Sequence, residues 1–316
     1  MSRTERQSVN RSDSTRLRAA WLYHHHQCTQ SEVAERLGVS RATVVRMLEE
    51  VSKRKEVQVW INDSIDECIE LSIELENTFG LQRALVAPSS DDPTQAVSAL
   101  LGRYLSENIK DGMKVGIGWG RTLTASLQSV VPNRLPGAQI ASLMGGVINP
   151  SRENPIEVSW RLASLLDAEC FLYLAPVIVD SAATKQTLID DCGLGMINQM
   201  AHNLDMAVVS CGDIGVHSTS LALDIVGEKI HAELIEAGAV CDIMCNFIDE
   251  QGTAITHPVS QRTMSVDLEV VSSSKNLVLA TGGQHRAKAL LASLRCLSTN
   301  TLITDEDAAV ELLKLN

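Results

Sequence analysis

The sequence predicts a small helical head followed by a larger α/β body built on a mainly parallel sheet. Three observations carry the prediction. The charge is split: residues 1–60 hold eleven Lys/Arg against seven Asp/Glu, a net of +4, which leaves −16 on the other 256 residues of a chain whose total is −12. Residues 29–51 space their apolar side chains as two short helices about a glycine. From residue 84 onward, short continuous apolar runs alternate with helical segments, the pattern of strands covered on both faces. The expected division is 1–61 for the head, 62–83 for a linking or oligomerisation helix and 84–316 for the body, and 316 residues suffice for one large core and one small one.

The head begins with "STRLRAAWLYHH", read as a helix that turns Leu17, Ala20, Trp21 and His24 inward. In "TQSEVAERLGVSRATVVRMLEEV", Thr29 caps the next helix with Glu32 as its capping-box partner. Val33, Ala34 and Leu37 form its inner stripe, Gly38 permits the turn, and Val39 fills the corner. Ser40 caps a third helix whose Val44, Leu48 and Val51 face inward, leaving Arg41, Thr43 and Arg46 outward or in the first turn. A basic outer face on a second helix is what a major-groove reader presents. The unit resembles the helix-turn-helix of bacterial transcription regulators, in which SQxEIAxxLGVSRxTVSRxL is a familiar form. That resemblance implies operator DNA as a partner, with Gln30 on a phosphate, Ser40 at the helix start, and Arg41, Thr43 and Arg46 on bases or backbone. "KRKEVQVWI" (53–61) alternates as a short wing strand, although Lys55 stands where many such modules have glycine.

Residues 63–79 are expected to form an acidic amphipathic helix starting at Asp63, with Ile65, Cys68/Ile69 and Ser72/Ile73 as a stripe that needs either the body or a second subunit. Strands are expected at 85–87, 115–118, 139–143, 170–174, 206–210, 243–247, 277–280 and 301–303, with helices including 156–166, 221–237 and 286–297. The loops that follow these strands are unusual: "GWGRT", "MGG", "APV", "CGD", "IDEQG" and "TGGQHR". Ligands of parallel sheets bind beyond the carboxyl ends of the strands, so six such loops at one edge define a rim.

"KVGIGWGRTL" is not a dinucleotide fingerprint, because it gives GxGxG and the next strand ends without an acid. It is not a P-loop either. What remains is a glycine turn into a helix near Thr122, whose free N–H groups suit an anion, with Arg121 adding charge. The eight cysteines show no CxxC pair and no zinc spacing, so they are expected as reduced core residues, and neither metal nor cofactor is implied. His217, His257 and His285 have no evident partner in the sequence. No apolar run reaches the roughly 20 residues of a membrane span, so the chain is expected in the cytoplasm, away from membranes.

Together "VGIGWGRTL", "SLMGG", "RLASLLDAECFLYLAPV", "CDIMCNFIDEQG", "HPVSQRTMSVDLE", "ATGGQHRAKALLASLR" and "TLITDEDAAVELL" resemble the effector domain of the SorC/DeoR-type sugar-binding transcriptional regulators. The resemblance implies a domain related to sugar-phosphate isomerases, a sugar, polyol or sugar-phosphate effector, and a homodimer or homotetramer. By position, Gly118, Gly120, Arg121 and Thr122 would line the anion end, with Gly145 and Gly146 nearby, and Asp249 would accept from sugar hydroxyls. The family's GGxxK is Arg286 here, an arginine fork in place of a lysine point charge. A further likeness is to regulators of erythritol catabolism, which implies a four-carbon polyol or its phosphate. The alternative is an isomerase or deaminase carrying a DNA-binding head. No catalytic residue is expected, since the rim lacks an evident acid–histidine pair.

Overall fold

The computed structural model describes residues 3–24, 26, 28–54, 56–57, 65–147, 154–215, 218 and 225–316. The chain divides into two compact units, Met1–Asn62 and Asp63–Asn316.

The first unit contains α1 (Arg3–His24), α2 (Gln30–Leu37) and α3 (Arg41–Lys53). The capping box forms at α2: Glu32 N–H donates to Thr29 Oγ1 at 3.3 Å, and Thr29 N–H donates to Glu32 Oε2 at 2.7 Å. That backbone donor, with the Thr29 hydroxyl second, holds the Glu32 carboxyl below its ordinary value. Gly38 closes α2 in the left-handed region at φ 64°, where a Cβ would be strained, and Ser40 Oγ then accepts from Thr43 N–H at the start of α3. A core of Ala19, Val33, Ala34 and Val44 follows, with Leu37, Val39 and Leu48 around it.

Two expectations for this unit are corrected. The first helix is longer than the 14–25 stretch, and its inner face is only partly the expected one: Ala20 is buried as expected, but Leu17 and Trp21 are 47% and 58% exposed, while Arg16 and Ala19 face inward. Small alanines at the contact let helices approach closely, which the larger side chains of the neighbouring ridge would prevent. Most of the expected wing strand, with Lys55 and 58–61, lies outside the described residues, as do Asp63 and the side chain of Ile65.

The second unit is α/β. Among the described residues, seven strands pair in parallel in the order β1-β10-β9-β5-β2-β3-β4: β1 Arg83–Ala87, β2 Lys114–Ile117, β3 Gln139–Ser142, β4 Glu169–Phe171, β5 Met206–Val209, β9 Leu277–Ala280 and β10 Thr301–Asp305. Alternation in β5 shows why the runs are continuously apolar. Met206 and Val208 enter a core with α5 (Pro93–Asn108), α6 (Arg121–Ser126) and α7 (Pro155–Leu166), whereas Ala207 and Val209 enter a second core on the other face. α4 (Ile65–Phe79) belongs to that second core through Cys68 and Leu75, with Leu71 and Phe79 beside them. Ile69 and Ile73, expected in its inner stripe, are 49% and 52% exposed. The remaining helices are α8 (Ala182–Asp190), α9 (Gly195–Ala201), α10 (Gly227–Glu236), α11 (Leu268–Ser272), α12 (Ala287–Cys296) and α13 (Glu306–Leu315). The helix expected from 221 thus starts at Gly227, and 221–224 lie outside the described residues.

The strand expected over 243–247 is a hairpin. β6 (Gly212–Asp213), β7 (Cys241–Ile243) and β8 (Asn246–Ile248) form a separate antiparallel sheet, and the chain reverses between β7 and β8 at Met244 and Cys245. Both turn residues have positive φ, 52° and 59°, as a type I′ turn requires. Neither is the Asn or Gly that usually marks such a turn. Burial of both side chains and the 2.7 Å bond from Cys245 N–H to Asp242 Oδ1 hold the conformation instead. Five cysteines are buried, Cys170 and Cys296 are half-buried, Cys192 is exposed, and none of the eight forms a disulfide.

Candidate effector pocket and helical reading face

Strand order reverses between β2 and β5: the chain runs outward from β2 through β3 to β4 on one side, and from β5 through β9 to β10 on the other. Such a switch point opens a crevice at the carboxyl ends of its strands. The crevice is lined by Trp119, Gly120, Arg121 and Thr122 after β2, by Ser210 through Asp213 after β5, and by Thr281 and Arg286 after β9, with Asp242 and Met244 from the hairpin.

Each loop is held by its own bonds. Gly118 N–H donates to Val208 O at 2.8 Å, continuing the β2–β5 ladder to the lip of the crevice. Gly120 has φ 146°, and a Cβ there would sit 2.9 Å from Ser210 Cβ, so only glycine lets the two loops approach. Thr281 Oγ1 donates to Cys211 O at 3.0 Å, tying the β9 loop to the β5 loop. Asp305, buried at the end of β10, accepts from Gly283 N–H at 2.6 Å and caps α13 through Ala308 N–H at 3.3 Å, which fixes the loop carrying Arg286.

Arg286 is 7% exposed; its Nη1 donates to Gly282 O at 2.6 Å and its Nε lies 4.0 Å from Asp213 Oδ1. Burial draws this guanidinium down from its ordinary value, and the neighbouring Arg121 acts the same way, with Asp213 opposing. An arginine stays charged regardless, so the crevice lining carries two guanidinium cations, the buried Arg286 and the exposed Arg121. Deeper in, the Cys241 thiol bonds to Cys211 and holds it below the ordinary thiol value, while burial pushes Cys241 well above it.

Of the residues singled out in the sequence, Gly120, Arg121, Thr122 and Arg286 come together here. Gly118 lies just beneath, where a Cβ would be 3.1 Å from Met244 Sδ. Gly145 and Gly146 are not in the lining; a Cβ at Gly145 would meet Ala175 O at 2.5 Å and Pro176 O at 2.7 Å, so its glycine serves backbone packing. Asp249 is placed elsewhere. It follows β8 of the small sheet, and its Oδ1 accepts from Gln251 N–H at 2.9 Å and Thr253 N–H at 2.8 Å, which commits the carboxylate to a local turn. The acids in the crevice are Asp213 and Asp242, which the sequence reading did not select; their signal was the "CGD" loop and the acid opening the misread hairpin. Outside the crevice, His257 donates from Nε2 to Glu233 Oε2 at 3.2 Å and accepts Val259 N–H at Nδ1 at 3.1 Å, which occupies both ring nitrogens. His217 lies outside the described residues.

In the helical unit, Gln30 opens α2, Ser40 caps α3, and Arg41 and Arg46 are exposed with Thr43 half-buried between them. Arg41 Nε donates to Gln30 Oε1 at 3.4 Å, and both residues line a groove with Tyr23, Thr29 and Ser31.

The family model described as "Putative sugar-binding domain" matches residues 63–314. The chain belongs to this family, that of the SorC/DeoR-type sugar-binding transcriptional regulators. Among its relatives in the family, the deoxyribonucleoside regulator of Bacillus subtilis is 29% identical over 306 residues, covering 94% of this chain and 96% of that one. The erythritol catabolism regulatory protein EryD of Brucella abortus is 27% identical, covering 95% and 96%. The full-length sorbitol operon regulator SorC from Klebsiella pneumoniae shares the fold at a TM-score of 0.79 and 22% identity, covering 94% of this chain and 97% of that one.

Proposed function

We propose that the chain is a DNA-binding transcriptional regulator of a carbohydrate or polyol catabolic operon, and that a sugar, polyol or sugar phosphate bound in the switch-point crevice controls its grip on operator DNA. One observation carries the reading: in a unit matched by a sugar-binding family, two arginines, Arg121 and Arg286, line one crevice, and the same chain carries a helix with a basic, exposed face. On this reading α2 and α3 are the helix-turn-helix, with Gln30, Ser40, Arg41, Thr43 and Arg46 at phosphates and major-groove edges. Arg121, Arg286 and the N–H groups beside Gly120 and Thr122 hold the anionic end of the effector, and the body is a relative of the sugar-phosphate isomerases that has kept binding. The names of the relatives support this, since each is a regulator and two name a deoxyribonucleoside and erythritol.

The enzyme reading finds less support. Among the described residues the crevice lining contains no histidine, lysine or glutamate, and His257, which lies outside it against Glu233, has both nitrogens engaged. The protein works in the cytoplasm as a homodimer or homotetramer, with α4 and its exposed Ile69 and Ile73 as the contact that pairs two heads. Fluorescence anisotropy with DNA from upstream of the chain's own gene tests the proposal: a sugar phosphate should change the affinity, and turnover of that compound by the purified chain would overturn it.

A further inference from the structure

Two residues that line the crevice each carry a buried polar atom with no hydrogen bond among the described residues. Trp119 is 6% exposed, and its indole Nε1 is buried with no hydrogen bond. Asp213 Oδ1 is also buried without one; the other carboxylate oxygen accepts Gly215 N–H at 3.0 Å, and Arg286 Nε stands 4.0 Å away, beyond hydrogen-bond reach. Among the described residues, these are the only such orphaned side-chain atoms that belong to residues lining the crevice.

Buried polar groups in native proteins are nearly always satisfied, and exceptions that face a cavity point to something that fills it. An indole N–H can only donate, and an ionised carboxylate can only accept. A phosphate oxygen would suit Trp119 but be repelled by Asp213. An ammonium would suit Asp213 but leave Trp119 unanswered. A hydroxyl answers both, accepting from Nε1 and donating to Oδ1, and two neighbouring hydroxyls can do so separately.

We infer that Trp119 and Asp213 form a hydroxyl-reading subsite, which recognises the polyol portion of the effector beside the anion end at Arg121 and Arg286. The inference rests on the reading of this crevice as the effector site. It makes the ligand an anion that carries free hydroxyls close to its charged group, and it makes a deoxy compound a poor fit, because loss of the hydroxyl leaves both protein atoms buried and unpaired.

The test is calorimetric titration of the full chain with glycerol 3-phosphate, erythritol 4-phosphate, ribitol 5-phosphate and inorganic phosphate, followed by Trp119→Phe and Asp213→Asn with the tightest polyol phosphate. The subsite predicts about a 5- to 10-fold loss for Trp119→Phe and about 10-fold or more for Asp213→Asn, with a change in inorganic phosphate binding of less than about twofold for Trp119→Phe. Equal losses for polyol phosphate and inorganic phosphate, or no loss in either variant, overturn the subsite and leave the effector reading standing. If none of the four compounds binds the wild-type chain, the effector reading falls and the subsite with it. The indole ¹⁵N–¹H resonance of Trp119 in the unaltered protein keeps the test independent of variant folding. It should move downfield with the polyol phosphate and stay in place with inorganic phosphate; the same movement with both compounds contradicts the inference.

Discussion

Arg16 and Glu56, forty positions apart, form a bidentate pair: Nε donates to Oε2 at 2.8 Å and Nη2 to Oε1 at 2.6 Å, with the Arg16 side chain only 5% exposed. The pair ties α1 to the chain leaving α3, and Glu50 stands 3.9 Å from the same guanidinium. Arg16→Ala would leave a carboxylate without its partner beside an apolar core. The expected cost is about 2–3 kcal/mol, below the full buried-pair figure because Glu56 is 22% exposed. Arg16→Lys should recover little, since a point charge cannot reproduce the fork. Urea denaturation followed by helical circular dichroism checks both variants.

The exposed face of α3 leads to a prediction about DNA. Arg46→Ala should weaken operator binding by about 1–3 kcal/mol if the side chain reads a base edge, and by less, with a shallower salt dependence, if it meets a phosphate. Anisotropy titrations at two salt concentrations separate the cases. Unchanged affinity would remove Arg46 from the reading face.

Gly145→Ala should destabilise the body strongly, by about 3 kcal/mol or more, because the added methyl meets two backbone carbonyls that cannot turn aside as a side chain would. Thermal unfolding measures the loss. A stability within about 0.5 kcal/mol of wild type would show that the 144–146 and 175–177 segments part easily.

Asp205 joins β2 to β5, accepting Lys114 N–H at 2.9 Å and Lys275 Nζ at 2.7 Å. The Lys275 bond first, and the Lys114 backbone bond second, lower its carboxyl below the ordinary value of 3.8. A lowered folded value means the contribution is complete above about pH 4 and is lost as the pH falls through the folded value. Asp205→Asn should therefore cost about 1 kcal/mol at neutral pH, discounted because Lys275 is 77% exposed. The difference from wild type should shrink in denaturation curves as the pH is lowered below the ordinary carboxylate value.

Much of the fold was legible because its signals are local. Thr29 with Glu32, and Ser40 with Thr43, announce their caps within one helical turn, and the apolar runs of the parallel strands need no distant information. The hairpin at 241–248 was not legible, since its turn rests on Met244 and Cys245, whose positive φ is enforced by burial rather than by residue type. The phase of α1 was misread for a similar reason: large residues drew the stripe to Leu17 and Trp21, whereas the contact is made by alanines. In the crevice, Gly120, Arg121, Thr122 and Arg286 were visible as loop motifs, but Asp213, Asp242 and Trp119 become neighbours only through strand order. Asp249 lies outside the crevice lining and holds its own turn; in sequence, an acid after a buried strand reads identically whether it meets a ligand or a neighbouring backbone N–H.

The most direct measurement is the affinity of the full chain for DNA from upstream of its own gene, titrated with small polyols and their phosphates, in wild type and in Thr122→Ala and Arg286→Ala. The account predicts that at least one phosphorylated polyol changes the wild-type affinity by about fivefold or more, as a coupling of 1–3 kcal/mol implies, and that either substitution removes this response while the protein still binds DNA. A panel that leaves wild-type affinity unchanged throughout, or a response that survives both substitutions, would contradict it.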